Sequence, residues 1–292
     1  LYNPNNVTSE AAPVTVRLEI EAGRLLSRMI GYSDSAWAHL CSGGTAANIE
    51  ALWVARSVAF LPWLVRDVRT ALARPMPEVL RDDASMLAMD PTRVLAEYAA
   101  LWREIPDTPD RLARLAALAE AIRARPFIVV EQGLCAITAR RGHAPVVLVP
   151  ESHHYCFEKA LDILGMGRGA LISVRVDERF RMRPDELERT LSKLAREGRR
   201  AIAVVAVAGS TEEGSVDPID HNVSIRRDRA AAGEPSFWLH ADGAYGGYLR
   251  TITIPKRCGL GESRTSVRVD GVVRDHGGQG RGPLKHAPAA EH

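Results

Sequence analysis

Four short apolar runs, at 127–130, 146–149, 202–207 and 237–240, constrain this chain more than any other feature, because each has strand length and none alternates strictly with polar residues. Unbroken apolarity of that kind marks strands covered on both faces, and such strands belong to parallel sheets. Two segments of helical composition, 157–164 and 184–194, lie between the second and third runs. The spacing predicts an α/β fold with a mostly parallel sheet flanked by helices. Open sheets of this type bind ligands beyond the carboxyl ends of their strands, so the residues just after each run are the first candidates for chemistry.

Upstream of the runs, apolar residues recur at helical spacing. Over 14–30 the residues Val16, Ile20 and Leu26 suggest one packed face, and over 45–60 Ile49, Leu52, Trp53 and Arg56 recur every three or four positions. Residues 61–125 read as a mostly helical insertion broken by Pro62, Pro75, Pro77 and Pro91, with an Ala/Leu/Arg-rich helix former at 111–123. From Thr251 to His292 the composition shifts to glycine and basic residues without a single aromatic, which predicts a poorly ordered tail.

The charge balance, 38 Lys+Arg against 36 Asp+Glu, argues against nucleic acid as the main partner. The longest apolar stretches, 58–65 (interrupted by Pro62) and 201–208, fall far short of the roughly 20 residues of a membrane-spanning helix, so no membrane role is expected. Cys41, Cys135, Cys156 and Cys258 form no CxxC pair and read as reduced thiols of a cytoplasmic protein. The first residue is Leu1, followed by a polar, turn-like stretch unlike a signal peptide, so the chain is expected to begin inside a longer natural sequence.

Four segments could carry chemistry. Ser42-Gly43-Gly44-Thr45-Ala46-Ala47-Asn48 precedes a helix; it reads either as an anion site made of the first helical N–H groups or as a helix cap with no ligand, and it lacks the Lys-Ser/Thr ending of a nucleotide-binding loop. His153-His154-Tyr155-Cys156 follows a strand. An imidazole there can stack on a planar ligand, act as an acid or serve structure alone; a metal site joined by His39 and Cys41 has no supporting spacing. In the segment 206–218 Glu212 and Glu213 are adjacent, which does not suit a facing acid/base pair, and the plain reading is a solvated turn capped through Asp217-Pro218. Finally, in Phe237-Trp238-Leu239-His240-Ala241-Asp242-Gly243-Ala244-Tyr245-Gly246-Gly247 an apolar strand delivers Asp242 to its carboxyl end among residues with almost no side chain. A buried carboxylate there suits a protonated ring nitrogen, each favouring the other's charged form, and the small neighbours leave room for a flat ring.

Taken in order, the first segment, His154-Tyr155 with Lys159-Ala160, Gly209-Ser210-Thr211 with Gly214 and Asp217-Pro218, and His240-Ala241-Asp242-Gly243-Ala244-Tyr245-Gly246-Gly247 make residues 1–250 resemble the group II pyridoxal-phosphate-dependent amino-acid decarboxylases. The resemblance is greatest to the bacterial tyrosine decarboxylase branch, through Leu1-Tyr2-Asn3-Pro4-Asn5-Asn6, Ala51-Leu52-Trp53-Val54-Ala55-Arg56 and Ser210-Thr211-Glu212-Glu213-Gly214. That branch also carries a helical insertion where 61–125 lie.

The resemblance implies the aspartate-aminotransferase-like type I fold, with residues 1–250 forming part of its large, cofactor-binding domain. It implies pyridoxal 5'-phosphate as cofactor, an amino acid as the small-molecule substrate and a homodimer as the complete assembly. Gly44 and Thr45 would hold the cofactor phosphate, His154 and Ala244 would lie against opposite faces of the ring, Thr211 would sit near it, and Asp242 would pair with the ring nitrogen; His154 and Asp242 are the catalytic candidates, and no metal is implied. The chain departs from the pattern at Gly243, where the family usually has Ala, and in its lysines, which are Lys159, Lys193, Lys256 and Lys285 only. Lys159 matches a position that is not the family's Schiff-base lysine, and Lys285 lacks that lysine's Asp-x-His-Lys context. A truncated or frame-shifted chain, inactive alone, is therefore expected. The alternatives are a non-catalytic cofactor-binding remnant, a glutamate decarboxylase and a carbon–carbon lyase of the sphingosine-phosphate type.

Overall fold

A computed structural model of the chain describes residues 8, 10–141, 144–253, 266–269 and 272–275. They fall into two units, one of residues 1–40 with 248–292, the other of residues 41–247.

In the first unit α1 spans Pro13–Ile30, with proline in its first turn and Gly31 (φ 101°) ending it in the left-handed conformation, where the Gly31 and Tyr32 amides donate to the carbonyl of Ser27. The buried residues of α1 are Gly23 and Ser27, while Val16 and Leu26 are half-buried and Ile20 is exposed. This corrects the packed face expected at Val16, Ile20 and Leu26. The reason is a close backbone crossing: a Cβ on Gly23 would lie 2.7 Å from the Ala38 carbonyl oxygen, so the chain packs on the line of small residues. Ser266–Val269 and Val272–Asp275 pair as an antiparallel two-stranded ribbon. Leu1–Asn6 and the rest of the tail after residue 253, with Lys256, Cys258 and Lys285, lie outside the described residues.

The second unit opens with α2 (Gly44–Val58) and α3 (Leu61–Ala71), followed by α4 (Asp83–Ala88), α5 (Pro91–Arg103), α6 (Arg111–Arg123) and α7 (Val129–Arg141). Trp63, Leu64, Val65 and Val68 of α3 pack with Leu80, Met86, Leu101 and Leu118 into a core belonging to α3–α6. Asp82 and Asp90 cap α4 and α5 by accepting the backbone amides of Ser85 and of Thr92 and Arg93. The strand expected at 127–130 is absent, since α7 begins at Val129. An apolar run of four residues does not by itself distinguish strand from helix, and here it leads without a turn signal into the helix formers Glu131, Gln132, Leu134 and Ala136.

From residue 146 strands and helices alternate: β1 (Val146–Pro150), α8 (Cys156–Ile163), β2 (Leu171–Val174), α9 (Pro184–Arg196), β3 (Ala201–Val207), α10 (Ile219–Ala231) and β4 (Trp238–Asp242). The four strands form one parallel sheet in the order β2-β1-β3-β4. β1 and β3 are buried along their whole length, as their unbroken apolarity requires. On one face Val147, Val149, Ala203 and Val205 meet Leu52 and Ala55 of α2 and Phe157 and Leu161 of α8; on the other Val146, Leu148 and Val204 meet Leu187, Leu191 and Leu194 of α9 and Ile225 of α10. The carboxyl ends of β1, β3 and β4 therefore emerge together at one rim of the sheet, flanked by the N-termini of α2 and α8.

Candidate active site

Gly43 (φ 141°) is the residue before α2, and no side chain caps that helix. The N-cap is Gly43 itself, and neither the Ser42 nor the Thr45 hydroxyl satisfies the first-turn amides. Those N–H groups and the positive end of the helix dipole face the rim. Gly44 has to be small: a Cβ there would come within 2.8 Å of the Ala244 Cβ.

Across the rim, β4 ends at Asp242, which is 8% exposed. Its Oδ1 accepts the Ala244 amide at 3.1 Å and its Oδ2 accepts Nδ2 of Asn48 at 2.9 Å. Among the described residues no Lys, Arg or His nitrogen lies within ion-pairing distance of this carboxylate, whose direct partners are neutral. The loop after β4 is pinned to the loop after β3 where Gly246 donates its amide to the Ala208 carbonyl at 2.9 Å. His240, two residues before Asp242 on the same strand, is driven toward the neutral imidazole by burial, with the nearby Asp242 charge opposing.

After β1, His154 accepts the Cys156 amide at Nδ1 (3.2 Å), which leaves Nε2 as the nitrogen that carries the proton in the neutral ring. The Tyr155 ring centroid lies 4.1 Å from that of His154, tilted by 36°, and Lys159 Nζ stands 4.6 Å over the same Tyr155 ring. Burial pushes the Cys156 thiol up, away from the reactive thiolate. His153 contributes nothing to the rim, as its Nδ1 bonds the Pro150 carbonyl at 2.7 Å. Among the described residues no group of three metal-ligating side chains converges.

After β3 the turn at 211–214 is solvated, with Glu212 and Glu213 exposed as expected, but Asp217 is not its solvated cap. Asp217 is 4% exposed, and its two oxygens accept the amides of Met182 (2.6 Å) and Val207 (2.7 Å), which fastens the end of β3 to the 175–182 loop. Burial raises its pKa while those two amides pull it back down. Ser210 donates to Glu213 at 2.7 Å, so Glu213 shapes the turn, and Thr211 stays exposed at the rim.

Gly44, Thr45, His154, Thr211, Asp242 and Ala244 all line one cleft of about 260 Å³, together with Asn48, Ser152, Gly209 and Tyr245. Sequence reasoning named Asn48 and Asp217 only as members of their motifs and gave neither a role in the site. The signal for Asn48 was present: it falls on the buried stripe of α2 with Leu52 and Ala55, where a polar side chain demands a partner.

Fold and cleft together define a class: an open parallel α/β protein offering a helix N-terminus to an anion and, opposite, a buried carboxylate to a basic ring. Residues 113–260 match the model of the pyridoxal-dependent decarboxylase conserved domain, and the chain belongs to that family. Over 252 residues it is 34% identical to an L-tyrosine decarboxylase of Levilactobacillus brevis, covering 86% of this chain and 36% of the relative. An aspartate 1-decarboxylase of Aliivibrio fischeri is 27% identical over 84% of this chain and 35% of its own length. The chain thus spans about a third of the length of the curated relatives it matches. A solved glutamate decarboxylase domain of a diaminobutyrate-pyruvate transaminase and L-2,4-diaminobutyrate decarboxylase from Vibrio parahaemolyticus superimposes with a TM-score of 0.53 at 19% identity, covering 85% of this chain and 39% of that one, which shows the type I fold.

The family's cofactor is pyridoxal 5'-phosphate. The residues present fit it in two respects, the uncapped first turn of α2 for a phosphate and the buried Asp242 for a basic nitrogen. In a third they fall short. Lys159 lies over Tyr155, Lys193 of α9 faces Glu197 just after that helix at 3.8 Å, and among the described residues no lysine lines the cleft.

Proposed function

We propose that the cleft binds pyridoxal phosphate for the decarboxylation of an amino acid, with tyrosine or a related aromatic amino acid as the favoured substrate. The observation that carries this reading is the placement of buried Asp242 and the uncapped N-terminus of α2 on the same cleft, at the carboxyl ends of parallel strands. Similarity to a tyrosine decarboxylase supports the aromatic preference. Cytoplasmic residence and assembly as a homodimer belong to the same proposal.

In this reading the amides of Gly44 and Thr45 bind the phosphate, with the dipole of a 15-residue helix behind them. His154 and Ala244 would lie against opposite faces of the ring, and Thr211 would sit near it. Asp242 keeps the ring nitrogen protonated, since a carboxylate removed from water and facing that nitrogen stabilises its charged form. When bound, the cofactor supplies the electron sink that accepts the electron pair released as carbon dioxide leaves.

The absence of a lysine from the cleft, among the described residues, favours a second reading in which this chain holds the cofactor reversibly and does not turn over. One set of measurements separates the two. Purified chain is titrated with pyridoxal phosphate, treated with borohydride and mapped by mass spectrometry, then assayed for amines from tyrosine, glutamate and diaminobutyrate. Saturable binding that weakens by about ten- to a hundredfold in Asp242→Ala is expected for the cleft. A reduced adduct on one lysine with tyramine production refutes the non-catalytic reading, and glutamate turnover without tyrosine turnover refutes the aromatic preference.

A further inference from the structure

Asn48 touches three polar groups of the site at once, and none of the roles above uses it. It is 3% exposed. Its Nδ2 lies 2.9 Å from Asp242 Oδ2 and 3.3 Å from Cys156 Sγ, and its Oδ1 lies 2.7 Å from His240 Nε2.

The direction of this chain of hydrogen bonds follows from elementary chemistry. An ionised carboxylate only accepts, so the amide nitrogen of Asn48 has to face Asp242. Its carbonyl oxygen then faces His240 and also only accepts, so His240 Nε2 must carry the proton. Phe157 stands edge-on to the His240 ring with centroids 6.3 Å apart. Each group thus hands its donor toward Asp242, and Asp242 has nothing to give back.

Stability does not explain the arrangement. A buried carboxamide on the apolar stripe of α2 carries a desolvation cost that leucine would avoid, and a buried polar trio can be exchanged for apolar groups with little loss. What the trio achieves is aim. Asn48 is one turn beyond Gly44, so the helix whose first amides face the cleft also sets the rotation of the carboxylate opposite.

We propose that Asn48, oriented by the Nε2–H of His240, is a positioning residue that holds Asp242 as a pure proton acceptor aimed at the cleft, so that a basic ring nitrogen bound there is kept protonated. The proposal rests on the reading of the cleft as a pyridoxal phosphate site. It assigns no contact between Asn48 and cofactor or substrate.

The test uses the full chain and pyridoxal phosphate labelled with 15N in its ring, with two readouts besides activity: the ring-nitrogen shift on binding and the side-chain 15N pattern of His240 in the cofactor-free protein. The unaltered chain should give the protonated ring signal and the Nε2–H tautomer of His240. Asn48→Leu should bind the cofactor about ten- to a hundredfold more weakly and move the ring signal toward the unprotonated form. Leu52→Ala, on the same buried stripe but away from Asp242, should lower the melting temperature and leave the ring signal in place. If Asn48→Leu does not fold, Asn48→Ser replaces it, because one short hydroxyl does not bridge both partners. A folded Asn48 variant with the protonated signal and full affinity overturns the proposal, as does an Nδ1–H tautomer at His240. Failure of the unaltered chain to bind the cofactor refutes the reading of the cleft instead, and the His240 tautomer still decides whether Asn48 is oriented as stated.

Discussion

Gly246→Ala is the sharpest perturbation of the frame that holds this cleft. The new Cβ would lie 2.1 Å from the carbonyl oxygen of Ala208, 2.7 Å from its carbon and 3.1 Å from the Gly209 nitrogen. All three are backbone atoms at the end of a fully buried strand, so no side chain can swing aside to make room. Either the loop after β4 lifts, breaking the 2.9 Å Gly246–Ala208 hydrogen bond, or β3 shifts against its neighbours. Overpacking of this kind costs about 1–3 kcal/mol and the lost hydrogen bond about 1 kcal/mol, for a total of roughly 2–4 kcal/mol. For a unit of this size, each kcal/mol lowers the melting temperature by about 2–4 °C, so a fall of roughly 4–16 °C is expected. Gly247→Ala is the matched control, since no atom lies within 4 Å of its added Cβ. Thermal melts of the two variants, with hydrogen exchange at the residue 246 amide, decide the matter. Equal melting temperatures together with retained protection at residue 246 would refute the close approach of the two loops.

Three further outcomes follow from the buried polar groups. Burial lowers the His240 pKa, so the stability it contributes is present above its ordinary value of about 6.5 and is lost as pH falls toward the folded-state value, by at most about 1.4 kcal/mol per pH unit; denaturant melts from about pH 7.5 to about pH 5.5 should show that slope, and His240→Gln should flatten it. Asp217→Ala strands the amides of Met182 and Val207 and should cost about 2–5 kcal/mol in the same melts. For Asp217 the sign is opposite to that of His240: its pKa is raised by burial, so its contribution is full below the ordinary carboxylate range and declines as pH rises through the raised value, a decline that Asp217→Asn should abolish.

The parts of the fold legible in the sequence are those in which burial is uniform. β1 and β3 announce themselves because both faces of each central strand are covered and no polar residue interrupts Val146-Val147-Leu148-Val149 or Ile202-Ala203-Val204-Val205-Ala206-Val207, whereas β4, at the sheet's other edge and mostly half-buried, is marked only by the run Phe237-Trp238-Leu239. α9 is legible for the complementary reason, with proline in its first turn and Leu187, Leu191 and Leu194 on one face. Edge strand β2 is only four residues long and half-covered, so it left no run to detect. α10 turns Asn222 and Arg229 inward beside Ile225, which erases the apolar period that marks a buried helix face.

The same physics divides the site. Residues that face the cleft, such as Gly44, His154 and Asp242, stand at strand ends and a helix start, positions that sequence can mark because glycine and a lone acid interrupt apolar runs there. Residues that aim them do so through tertiary hydrogen bonds spanning long stretches of chain, Asn48 to Asp242 and Asp217 back to Met182, and no local pattern encodes such a partner. A polar residue on an otherwise apolar stripe is then the trace left behind. Asn48 above Leu52 and Ala55 on α2, and Asn222 above Ile225 on α10, are both of that kind, yet only the first ends on a carboxylate that lines a cleft. Burial tells where a polar side chain must find a partner, and the identity of that partner decides whether it serves the fold or the chemistry.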